Sequence, residues 1–142
     1  MITGGHWRYQ SSVEVYPSTS GCSPPPLPVG RSRHTTFLTS GPNPVIATCG
    51  GIVGGWNATA SCLVLEQSNQ GWDESRMGEL TLPRWRSAAA TLNSVGVFII
   101  GGIADNNKRT SDFLPAGSMQ WQEGPALPVD MWDGPCAVTI SV

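Results

Sequence analysis

The sequence has little charge. Only 13% of residues are charged, eight basic against ten acidic, and the formal net charge is -2. No basic run occurs, so a nucleic-acid-binding surface is not expected. Scarce charge combined with 17 glycines and 12 prolines excludes a coiled coil. Long apolar runs are also missing. The longest, Val95 to Ala104, contains glycines and falls well short of the roughly 20 residues a membrane helix needs. No membrane partner is therefore expected. No leader-like segment opens the chain: Met1-Ile2-Thr3-Gly4-Gly5 begins inside patterned sequence, and a signal peptide is not read there. Disorder is excluded by a hydrophobic content of 39% arranged in clean short runs.

Chemistry-bearing motifs are equally scarce. No Cys-x-x-Cys pair supports a zinc ribbon, and no Gly-x-Ser-x-Gly elbow supports a hydrolase triad. Asp73, Glu74, Asp105, Asp112, Asp130 and Asp133 fall in separate loops and strand ends. Glycosidase chemistry needs two carboxyl groups held across one bond. The glycine-rich stretches do not make a phosphate loop either. Asn107 stands before Lys108 where a P-loop needs glycine. These features predict a chain without enzymatic activity, cofactor or metal.

What is present is a repeat. An apolar run ending in a double glycine occurs at Gly4-Gly5, Gly50-Gly51 and Gly101-Gly102, at intervals of about 50 residues. Each is followed by a polar loop and a short alternating strand: Ser12 to Tyr16, Cys62 to Glu66, and Ser111 to Leu114. A Leu-Pro pair comes next, at Leu27-Pro28, Leu82-Pro83 and Leu127-Pro128, with Trp72 and Trp121 ahead of the last two. Another strand closes each period: Arg33 to Thr39, Ser87 to Leu92, and Cys136 to Val142. The composition of these segments favours strand, and none has sustained helical spacing. The glycine pairs are expected where backbones pack closely and φ is unusual. Ile46, Val64, Leu92, Phe98, Ile99, Ala137 and Val138 are the expected core.

The double glycines, the two tryptophans, the alternating strands and the Arg-rich stretches after Leu-Pro resemble the kelch repeat, the blade unit of one β-propeller class. The resemblance spans the whole chain. It implies an all-β fold of three four-stranded blades. In the kelch order the chain starts on strand b and ends on strand a. Residues 1–142 then form one domain. Its blades are 1–28 (completed by strand 134–142 of a partner chain), 29–83 and 84–128. Three such blades cannot close a ring, so the resemblance implies a six-bladed propeller built by a homodimer. Ile2 and Thr3 would meet Cys136, Ala137, Val138 and Ile140 of the other copy. The start on a strand suggests a boundary set within a longer propeller, an excised or engineered half-ring. The alternative is a fragment of a secreted kelch-type enzyme or glycan-binding protein.

In kelch propellers the b–c loops and the d–a loops open on one face. That face would collect His6, Trp7 and Arg8, then Arg31, Arg33 and His34. Trp56 and Asn57 follow, then Arg84, Trp85 and Arg86. Asn106, Asn107, Lys108 and Arg109 come next, and Met131, Trp132 and Asp133 close the set. Arg and Trp carry much of the binding energy at interfaces. The implied ligand is a protein or peptide of acidic character, or an anionic glycan. The competing reading is that these arginines stack on tryptophan and pack the blade tops. Asp133 stands roughly where Arg33 and Arg86 do, which breaks any uniform basic ring.

Four cysteines remain. Cys49 ends one expected strand and Cys62 begins its antiparallel neighbour. A disulfide and a pair of small buried thiols both fit that placement. Cys22 and Cys136 have no evident mates. Asn57-Ala58-Thr59 is an N-glycosylation sequon in an expected surface loop. With the possible bridge, it tilts the parent protein toward an extracellular origin. Some secreted kelch proteins are copper oxidases with His and Tyr ligands. His6 and His34 have no evident pairing with Tyr9 and Tyr16, so both histidines are read as loop residues.

Overall fold

The computed structural model describes residues 2–3, 11–14, 24–65, 71–103 and 109–131. Among these every regular element is a β-strand, and every pairing is antiparallel. β1 (Ile2–Thr3) pairs with β2 (Val13–Glu14). A four-stranded meander follows, built from β3 (Thr35–Leu38), β4 (Ile46–Cys49), β7 (Cys62–Leu65) and β8 (Trp72–Asp73). Between β4 and β7 the chain rises into a small hairpin, β5 (Ile52–Val53) and β6 (Asn57–Ala58). The second meander has the same order: β9 (Ala88–Leu92), β10 (Gly96–Ile100), β11 (Ser111–Pro115) and β12 (Gln122–Glu123). The first meander runs over residues 35–73 and the second over residues 88–123. The β5–β6 hairpin has no counterpart among the expected strands.

The registers of the two meanders correspond residue by residue. Phe37 faces Ala47 and Ala47 faces Val64 in the first; Ala90 faces Phe98 and Phe98 faces Phe113 in the second. One backbone hydrogen bond recurs three times: Leu27 N–H to Ser11 O at 2.7 Å, Leu80 N–H to Ala60 O at 2.9 Å, and Leu127 N–H to Arg109 O at 2.7 Å. The acceptors are evenly spaced along the chain. This corrects the alignment of the middle Leu-Pro pair, because the counterpart of Leu27 and Leu127 is Leu80, not Leu82.

The core lies between the meanders. Phe37, Ala47, Cys49, Cys62 and Val64 on one sheet pack against Val97, Ile99 and Leu114 on the other, with Met77 and Leu80 filling in. Trp121 meets Phe37 edge-on at 5.7 Å. Leu27 covers the far side of the first sheet against Leu63 and Trp72, and the Trp72 indole donates to Pro25 O at 3.0 Å. Of the expected core, Val64 and Ile99 are buried. Ile46, Leu92 and Phe98 are only half-buried, because alternation turns them to the outer sheet faces. Ala137 and Val138 lie outside the described residues.

β3 and β9 run side by side. They are tied by Thr91 Oγ1 to Leu38 O and by Thr35 Oγ1 to Ser87 O, both at 2.8 Å. The double glycines Gly50-Gly51 and Gly101-Gly102 directly follow β4 and β10. Gly50 and Gly51 have φ of 69° and 93°. A Cβ on Gly50 would stand 2.5 Å from Arg84 O, and one on Gly51 would stand 2.7 Å from Ser32 O. Gly51 N–H uses that closeness to donate to Arg84 O at 2.8 Å. Close approach and left-handed backbone thus both require glycine there.

Candidate recognition face

The segments leading into β3 and β9 are pinned to the loops beyond β4 and β10. Ser32 and Ile52 exchange backbone hydrogen bonds at 3.0 and 2.8 Å, and Trp85 and Ile103 do the same at 3.2 and 2.9 Å. Two arginines flank each pinned point, and their fates differ.

Arg31 and Arg84 point inward. The Arg31 guanidinium donates to Gly50 O, Ser61 O and Ser61 Oγ, each at 3.2 Å. Arg84 repeats the arrangement with Gly101 O at 2.9 Å, Thr110 O at 3.1 Å and Thr110 Oγ1 at 3.2 Å. Both side chains are buried. Burial pushes each guanidinium below its ordinary pKa, offset in part by Glu74 for Arg31 and by Asp112 for Arg84. Neither group can meet a ligand on the surface. The expectation that they belong to the binding face is therefore corrected: they tie the double-glycine corners to the sheets. Sequence reasoning missed this because a buried arginine is rare and depends on carbonyls that no residue type advertises.

Arg33 and Arg86 are half-buried and lie against two tryptophans. The Arg33 guanidinium lies 4.9 Å from the Trp85 ring centroid and 5.6 Å from that of Trp56, and Arg86 lies 4.9 Å from Trp85. Cation–π contacts of this kind contribute about 0.5–1 kcal/mol each when exposed. Arg86 N–H donates to Arg33 O at 2.9 Å, which couples the segments leading into β3 and β9. Trp56 crowns the β5–β6 hairpin and is 73% exposed.

The backbone under this cluster is unusual. Arg33, Trp56 and Arg86 have φ of 57°, 67° and 60°. Left-handed backbone costs a non-glycine residue roughly 1–2 kcal/mol. Among the described residues only Ser94, in the tight β9–β10 turn, joins them as a non-glycine with positive φ. His34 is half-buried, and its Cβ lies 2.8 Å from where a Cβ on Gly51 would stand. Asn57 is exposed beside Trp56. Arg109 pairs with Asp130 at 2.6 Å on the surface. Met131 takes the position of Arg84: Gly102 N–H donates to Met131 O at 3.1 Å, as Gly51 does to Arg84. His6, Trp7, Arg8, Asn106, Asn107, Lys108, Trp132 and Asp133 lie outside the described residues, as do Cys136 and Ile140.

Cys49 and Cys62 form a disulfide across β4 and β7, with Cα atoms 4.1 Å apart. Gly50 N–H bonds to Ser61 O one step along the ladder, so the cysteines occupy a non-hydrogen-bonded pair, where side chains are closest. Among the described residues no group of three His, Cys, Asp or Glu side chains could hold a metal. At the other end of the strands, an open groove of about 600 Å³ runs between β3 and β9, lined by Thr36, Leu38, Ser40, Thr91 and Asn93. Nothing in the sequence pattern pointed to it, because it forms only when the two strands meet. No protein-family model matches the chain, and neither does any curated protein.

Proposed function

We propose that the chain is a non-enzymatic kelch-type propeller scaffold that recognises acidic segments of protein partners through Arg33, Trp56, Trp85 and Arg86. The carrying observation is the backbone. Among the described residues, three of the four non-glycine residues with positive φ converge on this one cluster, and unfavourable backbone persists where function uses it. Two guanidinium groups flanked by indoles offer charge and flat apolar area together, the pairing that dominates binding hot spots. The weak net charge elsewhere makes the cluster a local feature.

The blade reading is supported by the repeated register of the two meanders and by the threefold Leu N–H bond. Closure by a second copy is supported by the outer face of the second meander. Ala90, Phe98, Ile100 and Phe113 there are the register counterparts of Phe37, Ala47, Cys49 and Val64. In the first meander those residues are buried against the next sheet. In the second they are half-buried and apolar.

The test is calorimetric titration of the whole chain with a Glu/Asp-rich peptide and, in parallel, a sulfated oligosaccharide. Arg33→Asn and Arg86→Asn serve as variants, since Asn tolerates left-handed backbone. Peptide binding that disappears in both variants with the fold intact is the expected result. Binding of the oligosaccharide alone would replace the peptide with an anionic glycan. Binding of neither would remove the recognition role.

A further inference from the structure

We propose that Asn57 is a site of N-linked glycosylation, placed at the tip of a hairpin that the Cys49–Cys62 disulfide closes at its base. The sequon Asn57-Ala58-Thr59 is common by chance and proves little alone. The structure adds three independent features.

The first is access. Gly54, Gly55, Trp56 and Asn57 are all exposed. The Asn57 amide folds back over the turn, and one of its two N–H groups donates to Gly54 O at 2.9 Å. The other N–H remains for substitution. The glycosylated amide keeps one N–H, so the bond to Gly54 survives modification.

The second is space. A Cβ on Gly54 would meet nothing within 4 Å, and one on Gly55 would meet only Asn57 Nδ2, at 3.5 Å. Gly54 and Gly55, over which the amide folds, thus carry no side chain to obstruct a sugar. A bulky, solubilising group fits such a protruding surface turn.

The third is compartment. The disulfide joins the two strands from which the hairpin springs, thirteen residues apart in sequence. Persistent disulfides require an oxidising lumen or exterior, and that route is where asparagine glycosylation takes place. The bridge and the sequon occupy the same loop and point to the same environment.

The step balances with one named co-reactant, a lipid diphosphate-linked oligosaccharide. Asn57 Nδ2 forms a bond to the anomeric carbon. The bond from that carbon to the phosphate oxygen breaks, and the lipid diphosphate leaves with the electron pair. The displaced amide proton passes to a base on the transferase. The inference does not depend on what the Arg33–Trp85 cluster binds.

The experiment directs the full chain into the secretory lumen of a eukaryotic culture and recovers it from cells and medium alike. Peptide mass mapping reads residue 57 and the cysteine pairing together. The expected result is an oligosaccharide on Asn57 in chains carrying the Cys49–Cys62 bridge. Amidase release in heavy-oxygen water should leave a labelled carboxyl at that position. Asn57→Gln should lose the sugar, and Thr59→Ser should retain it. Bridged chains with unmodified Asn57 would overturn the proposal, and so would unmodified chains lacking the bridge.

Discussion

Arg84 Nη2 and Asp112 Oδ2 meet at 2.7 Å with both side chains fully enclosed. Asp112 also accepts from Thr81 N–H at 2.7 Å and Thr81 Oγ1 at 2.5 Å. Removing one member of such a pair strands a buried charge, at a cost of about 3–5 kcal/mol. Asp112→Ala should lower stability by that amount in urea denaturation. At the register counterpart of Asp112, the first meander carries Leu63, packed on Leu27. The double variant Arg84→Met/Asp112→Leu should therefore lose clearly less than the two single losses added together.

This pair also explains where the sequence misleads. Leu27 and Leu127 are each followed by proline, but Leu80 is followed by Thr81, whose N–H binds Asp112. Proline has no N–H to give. The Leu-Pro signature of the middle repeat therefore slips to Leu82-Pro83 while the structural leucine stays at position 80. Double glycines, strand order and Trp72 and Trp121 were legible, because backbone geometry and alternation demand those residue types. The inward turn of Arg31 and Arg84 was not, since it rests on carbonyls brought together by the fold. The β5–β6 hairpin was hidden for a related reason: its two-residue strands are too short for alternation to register.

Left-handed backbone at Arg33 and Arg86 sets up a second prediction. Asn tolerates that backbone better than Arg, while the lost cation–π contacts cost about 0.5–1 kcal/mol each. The two terms oppose each other. Arg33→Asn and Arg86→Asn should each change stability by less than about 1 kcal/mol, measured by chemical denaturation. A larger loss would make these arginines structural braces for Trp85 and would argue against their role in recognition.

The Cys49–Cys62 bridge closes a short loop. By chain entropy a loop of about 15 residues is worth about 3 kcal/mol. Replacing both cysteines by alanine should lower the denaturation midpoint accordingly. The wild type should fall to a similar midpoint in strong reductant, and the double variant should not respond to it. Equal response by both proteins would show that the bridge does not form in solution.

Asp73 accepts from both Ser75 N–H and Ser75 Oγ at 2.7 Å, and these bonds hold its carboxyl below the usual carboxylate range. A depressed folded pKa means the ionised form is favoured by folding. The contribution is complete above the unfolded-state pKa and is lost as pH falls through the folded value. Ser75→Ala should raise the Asp73 titration midpoint toward the ordinary carboxylate value, followed by carboxyl-carbon NMR. An unchanged midpoint would sink the assignment of the shift to Ser75.

The outer face of the second meander gives the proposed assembly its test. Phe98 and Phe113 stack there at 4.5 Å, beside Ala90 and Ile100. The repeat buries the corresponding face of the first meander in the core, so the second should seek the same burial. A second copy can provide it with closed symmetry. Light scattering across a dilution series should then find a species of twice 15.0 kDa. Phe98→Glu should shift it to the single chain, because a charge placed in that contact has no partner. If the wild type remains a folded single chain at every concentration, the dimeric ring is wrong. The aromatic pair would then have to be covered by some other part of the same chain.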